Sequence, residues 1–211
     1  MSYKYNLLHA LYKLIGRIVC QLFLIWWRIR DKINPPKEEV VLIVSHPDDD
    51  TLFFHTFIKK YKPYICVMSV GWSFRRVPCF FRAMRKYGVR FRIYPLESRD
   101  TRLELLHQNV LECLKLSSFK LCATHGKTGE YGHEFHRRVH DAVVSCAKCK
   151  VLTPVSEDEI GKYPLTADIV EEKRRMFQRI YTTEVFVLKQ YRTWVEHERL
   201  TEYSEEVEEN R

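Results

Sequence analysis

From Val40 onward, short apolar runs alternate with stretches of helical periodicity, and this alternation narrows the fold more than any other feature of the chain. The apolar runs fall at residues 40–45, 64–70, 89–96, 119–124 and 151–155; the helical stretches fall at 51–61, 75–87, 101–116, 133–146 and 169–181. Strands that are apolar along their whole length are buried on both faces, and helices between them supply the crossovers of βαβ units. The pattern therefore predicts an α/β fold built on a parallel sheet. A last strand is expected at 183–189 (TEVFVLK) and a Glu-rich helix at the C-terminus. With 211 residues, 45% of them apolar, the chain accommodates one domain with a substantial core plus an appendage rather than two domains.

The appendage is N-terminal. Residues 1–33 contain LLHALYKLIGRIVCQLFLIWWRIRDKI, with Trp26 and Trp27 beside Arg28 and Arg30. Residues 7–27 approach the length that crosses a bilayer, but Lys13, Arg17 and Gln21 recur every fourth position and form one polar stripe on a helix. A helix lying among lipid headgroups, a spanning helix and a helix packed on the domain's own core all fit this pattern. The Trp pair and trailing cations resemble an interfacial anchor and favour keeping the following chain on the cytosolic face. No small-x-small cleavage site of a signal peptide follows. Asn34-Pro35-Pro36 marks a linker at 34–39, the main domain occupies 40–195, and an acidic tail covers 196–211.

The net charge of +8 is unevenly placed: residues 59–99 hold eleven Lys or Arg against one acid, whereas the chain from Glu196 onward holds seven Glu against two Arg. A solvated face and recognition of phosphate or acidic lipid are the two readings of the basic stretch. Nucleic acid is disfavoured, because no zinc-finger spacing or basic repeat accompanies the charge, and nothing in the pattern names a protein partner. Seven Cys, an odd number, several inside apolar runs, suit reduced core thiols. Cys146 and Cys149 are spaced as Cys-x-x-Cys, but they close a helix instead of opening one and have no second pair to complete a four-thiolate site.

Ligands of open α/β sheets bind beyond the carboxyl ends of the strands, and two such ends are rich in metal-binding groups. The first strand runs into Ser45-His46-Pro47-Asp48-Asp49-Asp50, where a nucleotide-binding domain would carry a Gly-rich loop. The fourth ends in Thr124-His125, followed by the loop Gly126-Lys127-Thr128-Gly129-Glu130-Tyr131-Gly132 and a helix opening on His133-Glu134-Phe135-His136. His133 and His136, three apart, share one helix face. Two imidazoles and a carboxylate with a fourth position open to water form a catalytic zinc arrangement. A neighbouring carboxylate that is not a ligand takes the water's proton, and a spare imidazole stabilises an oxyanion or protonates a departing amine. Read blandly, the acids cap a helix and the His residues decorate its surface; the coincidence of both motifs at two strand ends of one βα pattern argues for the metal.

At these residues the chain resembles the PIG-L/LmbE-like zinc-dependent sugar de-N-acetylases, which include the GPI-anchor N-acetylglucosaminyl-phosphatidylinositol deacetylase and deacetylases of the mycothiol and bacillithiol pathways. The resemblance covers roughly residues 40–155 and rests on His-Pro-Asp-Asp and on Gly129 to His136. It implies a Rossmann-like three-layer fold, a zinc ion held by His46, Asp49 and His136, Asp48 as general base, and His133 polarising the tetrahedral intermediate. It further implies that Arg76 contacts substrate and that Gly88 ends a helix. Two positions depart from the family pattern: Cys79 stands where Glu is usual, and Asp50 where the motif ends in Glu. Asp50 is thus a supporting carboxylate shorter by one methylene, and such supports govern metal affinity and activity.

His125 is a candidate pocket residue, and Trp72 after the second strand either stacks on a sugar or packs. The expected function is zinc-dependent removal of acetyl from an N-acetylated amino sugar of the N-acetylglucosamine type, lipid- or phosphate-linked, by a membrane-associated protein. The competing readings are a non-catalytic glycan- or membrane-binding relative and a metal-dependent phosphoesterase, which commonly needs two metals and hence more ligands.

Overall fold

The computed structural model describes residues 2–70, 75–96 and 102–204. Trp72 and the chain beyond residue 204, including most of the expected C-terminal helix, lie outside them. In chain order the elements are α1 (Ser2–Ile33), β1 (Val40–Val44), α2 (Asp49–Tyr61), β2 (Tyr64–Ser69), α3 (Arg76–Tyr87) and β3 (Phe91–Leu96). Then come α4 (Leu103–Leu114), β4 (Leu121–Ala123), α5 (Glu134–Cys146), β5 (Lys150–Pro154), α6 (Glu157–Ile160) and α7 (Ala167–Arg179). The short helices α8 (Val187–Gln190) and α9 (Arg192–Glu196) and strand β6 (Leu200–Glu202) follow.

The six strands run in the order β3-β2-β1-β4-β5-β6, all parallel except β6, which is antiparallel to β5. The fold is Rossmann-like: a central sheet between two helical layers. Val41, Leu42, Ile43 and Val44 of the central strand are fully buried, as a strand covered on both faces requires. On one face Phe54 of α2, Phe80 of α3 and Phe177 of α7 pack; on the other, Val110 of α4 and Val139 of α5. Each such side chain contributes roughly 1.5–3 kcal/mol on burial. The chain leaves β1 to one side through β2 and β3 and returns to its other side as β4, so the strand order switches between β1 and β4. A crevice opens at the carboxyl ends on such a switch point.

The expected strand at 183–189 is not formed. Thr182–Glu184 makes one 3₁₀ turn and α8 follows. The outer edge of β5 is taken by β6 instead. Glu184 and Val187 are buried while Val185 and Phe186 between them are exposed, a period of three rather than two. Tertiary packing here overrides the β preference of a Val/Phe-rich run. The C-terminal reading is corrected too where it can be seen, since Leu200–Glu202 is an edge strand, not helix.

Helix α1 lies along the otherwise open edge at β3, where an unpaired strand is a liability. Trp27 enters the α2/α3 layer beside Phe81 and Phe91, and Leu24 enters the opposite layer. Buried Asp31 accepts from Arg92 (2.7 and 3.1 Å), Arg30 (2.6 and 2.8 Å), Arg90 (3.2 Å) and Tyr64 Oη (2.6 Å). The opposite face carries Leu14, Ile18, Leu22, Ile25 and Ile29, each at least half exposed. Among the described residues no helix is long and apolar enough to cross a membrane.

Candidate metal centre

The first half of the site is made by the way α2 starts. Asp48 has φ 109° and ψ −31°, a region costly for a residue with a Cβ, on the order of 1–3 kcal/mol. Its neighbours hold it there. The Asp48 N–H donates to Asp50 Oδ1 (3.0 Å), and its carbonyl accepts from Thr51 and Leu52 N–H (3.0 and 2.9 Å). Asp50 is fully buried and saturated, taking Tyr181 Oη on Oδ1 (2.6 Å) and Thr51 Oγ1 on Oδ2 (2.9 Å). A chain of contacts continues outward from Thr51 to Tyr87 Oη (2.9 Å) and from there to His55 Nδ1 (2.7 Å).

The second half comes from β4, tied to β1 by Thr124 Oγ1 donating to the Ile43 carbonyl (2.9 Å). The following loop folds tightly because Gly129 adopts φ 72°, and a Cβ there would lie 2.5 Å from the His133 carbonyl oxygen. Glu130 takes φ 55° and turns its carboxylate inward. The loop delivers His133 to the N-cap of α5 and His136 to its first turn.

The two halves meet. Asp49 Oδ2 lies 3.4 Å from His46 Nδ1, 3.4 Å from His136 Nε2 and 3.4 Å from His125 Nε2. Atoms bound to zinc at ~2.0–2.2 Å in tetrahedral geometry sit ~3.4 Å apart, so these separations suit a shared ion. Two donor trios have all their ligand atoms within 4.8 Å of one another: His46, His133 and His136, and Asp49, His125 and His136.

Hydrogen bonds decide which imidazoles are free to be ligands. His125 Nε2 accepts the Ser45 N–H (2.9 Å), so its lone pair is spent. Burial opposes a charge on His125, but Glu130 and Asp49 outweigh it and lift the group to about 9. A proton on Nε2 would point at the Ser45 N–H, so the neutral form with Nδ1–H on Glu130 (3.1 Å) fits the bonds better. His133 Nδ1 accepts the Phe135 N–H (3.2 Å), which leaves Nε2–H as a donor rather than a ligand. Burial, with His136 and His46 nearby, pushes His133 down to about 4, so it is neutral near pH 7.

His136 is the reverse case. Its Nδ1 donates to Glu130 (2.6 Å), which frees the Nε2 lone pair, and that buried nitrogen has no hydrogen-bond partner. A carboxylate behind a histidine in this way fixes the tautomer of a metal ligand. Burial also keeps His46 below its ordinary value and so unprotonated. These bonds leave donor atoms of His46, Asp49 and His136 available within a buried His/Asp group able to hold a metal ion.

The acids are differentiated. Burial works against charge on Asp49, but His136, His125 and His46 hold it well below the ordinary carboxylate range. Burial lifts Asp48 well above that range despite Arg76. Its buried Oδ1 has no hydrogen-bond partner and is 3.5 Å from Arg76 Nη1. Burial raises Asp50 to about 6. Arg76 makes two bonds to buried Glu184 (2.8 and 2.7 Å), and so supports Asp48 at the rim of the site. Where Cys79 replaces the acid expected on α3, Glu184 brings a carboxylate to Arg76 from the segment read as strand.

The structure thus gathers His46, Asp48, Asp49, His133 and His136 in one cluster. Asp50 and His125 are packed directly behind it, and Arg76 lies at its edge. Sequence reasoning missed Glu130, which serves both His125 and His136; burial opposes its charge, yet the two imidazoles hold it at about 2. It also missed Glu184 and Tyr181, whereas His140, one turn beyond His136 in the sequence, donates its Nδ1 to the His125 carbonyl (2.8 Å) and so stands behind the cluster. Only Glu130 had a signal, as an acid set between glycines.

No protein-family model matches the chain, and no curated protein matches it in sequence. Several solved structures match in fold. A deacetylase triple mutant of the teicoplanin biosynthetic pathway superposes with TM-score 0.57 at 12% identity, covering 74% of this chain and 87% of that one. The hydratase GalB, which acts on 4-carboxy-2-hydroxymuconate in Pseudomonas putida, gives 0.52 at 12% identity, with 74% and 81% covered. A conserved protein of Thermus thermophilus gives 0.50 at 10% identity, with 74% and 83% covered. At such identities the likeness establishes the fold.

Proposed function

We propose that the chain is a zinc-dependent hydrolase that removes acetyl from an N-acetylglucosamine-type substrate. The neighbours in fold include both a deacetylase and a hydratase, so the fold does not choose the reaction and the site must. The observation that carries the reading is Asp49 Oδ2 at 3.4 Å from both His46 Nδ1 and His136 Nε2, beside an unpartnered carboxylate oxygen of Asp48. Bound zinc supplies a water of lowered pKa and a Lewis acid for the acetamide carbonyl.

The chain's own groups do the rest. Asp48, raised by burial and aimed by its unusual backbone, takes the proton from the attacking water. His133 donates Nε2–H to the oxyanion of the tetrahedral intermediate. As the C–N bond breaks, the proton held by Asp48 passes to the departing nitrogen, leaving acetate and a free amine. Arg76, paired with Glu184, sets a positive charge 3.5 Å from Asp48 and offers its remaining donors to substrate. A dinuclear phosphoesterase fits less well, since both donor trios share His136 and His125 is committed to Ser45.

The outward stripe of α1 and the basic region at 59–99 support a lipid- or phosphate-linked substrate met at the cytosolic face of a membrane, with α1 lying in the headgroup region. Amine release should be followed with and without zinc on N-acetylglucosaminyl-phosphatidylinositol, on undecaprenyl- and nucleotide-linked sugars, and on a free glycoside. Release that needs zinc at one ion per chain is the expected result. Two metals per chain, or no release from any acetylated sugar, overturns the hydrolase reading, and activity confined to soluble thiol–sugar conjugates overturns the lipid link.

A further inference from the structure

A second cavity, of about 350 Å³, lies between α2, α3 and α7 and shares no residue with the metal-binding cluster. Its wall carries Lys59 and Lys62 from α2 and the turn after it, Lys86 from α3 and Arg175 from α7. Its floor is buried His55 and Tyr87. Basic residues near helix C-termini are expected, because each terminus carries roughly half a negative charge, so the surplus has to be counted. Two helix ends contribute about −1, and Glu172 with Glu171, the latter 2.9 Å from Arg175 Nε, contribute two more negative charges. Four cations then leave about one positive charge uncompensated in a concave site.

The cavity already holds an anion of its own. Glu172 Oε2 pairs with Lys59 and lies 3.2 Å from His55 Nε2, yet its side chain is 45% exposed and rests on the surface of α7. Lys62 Nζ donates to the Tyr87 carbonyl (2.7 Å), which fixes its ammonium at the rim. Swinging Glu172 outward frees Lys59, so that it joins the already exposed Lys62, Lys86 and Arg175 in facing one incoming anion. The volume suits a phosphate ester of a small organic group better than a bare ion.

We infer that this cavity is a binding site for a phosphate-bearing ligand, which displaces Glu172 from Lys59. The floor joins it to the cluster through His55, Tyr87, Thr51 and Asp50, so an occupant also bears on the residue that holds the Asp48 backbone. The site does not depend on the hydrolase reading.

Acetylation footprinting of the full chain by mass spectrometry tests it, with inorganic phosphate, glycerol 3-phosphate, and phosphatidic acid vesicles against phosphatidylcholine vesicles. Protection of Lys59, Lys62 and Lys86, with exposed Lys120 and Lys150 unaffected, is the expected result. Glu172→Gln should increase that protection severalfold and Arg175→Ala should reduce it; both side chains are about half exposed, so the fold tolerates them. Protection by phosphatidic acid vesicles alone also supports the site and assigns the phosphate to a lipid headgroup. Equal protection at all five lysines, no protection by any probe, or protection indifferent to both substitutions overturns it.

Discussion

In the proposed reaction Asp48 and His136 have separate jobs, as base and as metal ligand. Replacing Asp48 with Asn removes a base but no ligand, so zinc content should be kept while turnover falls about 10²–10⁴-fold. Removing the His136 imidazole takes away the nitrogen that Glu130 prepares, so His136→Ala should lose the metal itself. Zinc content and amine release measured on the same samples distinguish the two; full activity in Asp48→Asn sinks the base assignment. Glu130→Gln keeps a hydrogen-bond acceptor but not the charge, and should weaken zinc about 10–100-fold. It also has a pH signature in the metal-free protein. The Glu130 pKa is depressed on folding, from 4.5 to about 2, so the unfolded chain binds its proton more readily. Its stabilising contribution is therefore complete above 4.5 and lost as pH falls toward 2, about 3 kcal/mol in all. Denaturant melts across that window should slope in the native protein and flatten in Glu130→Gln. The convergence of His46, Asp49, His133 and His136 was legible because His-Pro-Asp-Asp and the pair three apart on a helix place these groups by local geometry alone. Glu130 and Glu184 were not, since their partners are set by a left-handed backbone and by the packing of a distant turn.

The helix α2 has the His/Asp cluster at one end and the basic cavity near the other. Its first turn needs Asp50 to hold the Asp48 N–H, and Asp50 needs Thr51 and Tyr181. Tyr87, reaching across from α3, joins Thr51 to His55 within the buried layer. Tyr87→Phe leaves buried His55 Nδ1 without a partner and takes one of two bonds from Thr51 Oγ1, and should cost about 1–3 kcal/mol. It should also lower kcat with little change in KM, because what moves is the aim of Asp48 and not a substrate contact. An unchanged kcat in a destabilised variant would show that this link is structural only. At the level of elements the sequence was most readable where apolar runs were long and central: β1 and β2 lie within a residue of their expected limits. It misled at 183–189, where Val185 and Phe186 suggest a strand but stay exposed while Glu184 and Val187 are the residues that pack inward.

On the scale of the molecule, α1 joins a lipid-compatible surface to a rigid domain. Its inward face is fixed by Trp27 and by Asp31 among three arginines and Tyr64, and removing one member of such a buried charge network costs about 3–5 kcal/mol. Asp31→Ala should therefore lower the melting point of the whole domain, not merely release a helix. The outward face should behave oppositely. Leu22 and Ile29 are 61% and 54% exposed and touch nothing that folding needs, so Leu22→Glu with Ile29→Glu should leave the melting point unchanged. At about 1.5–3 kcal/mol for each apolar side chain moved out of water, the pair accounts for about 3–6 kcal/mol of attachment, more than ~100-fold in partitioning. Cosedimentation with phosphatidylglycerol vesicles reads that loss directly. If the double variant still sediments with vesicles but runs as a smaller species in analytical ultracentrifugation, the stripe is an interface between two copies of the chain and the membrane assignment of α1 fails.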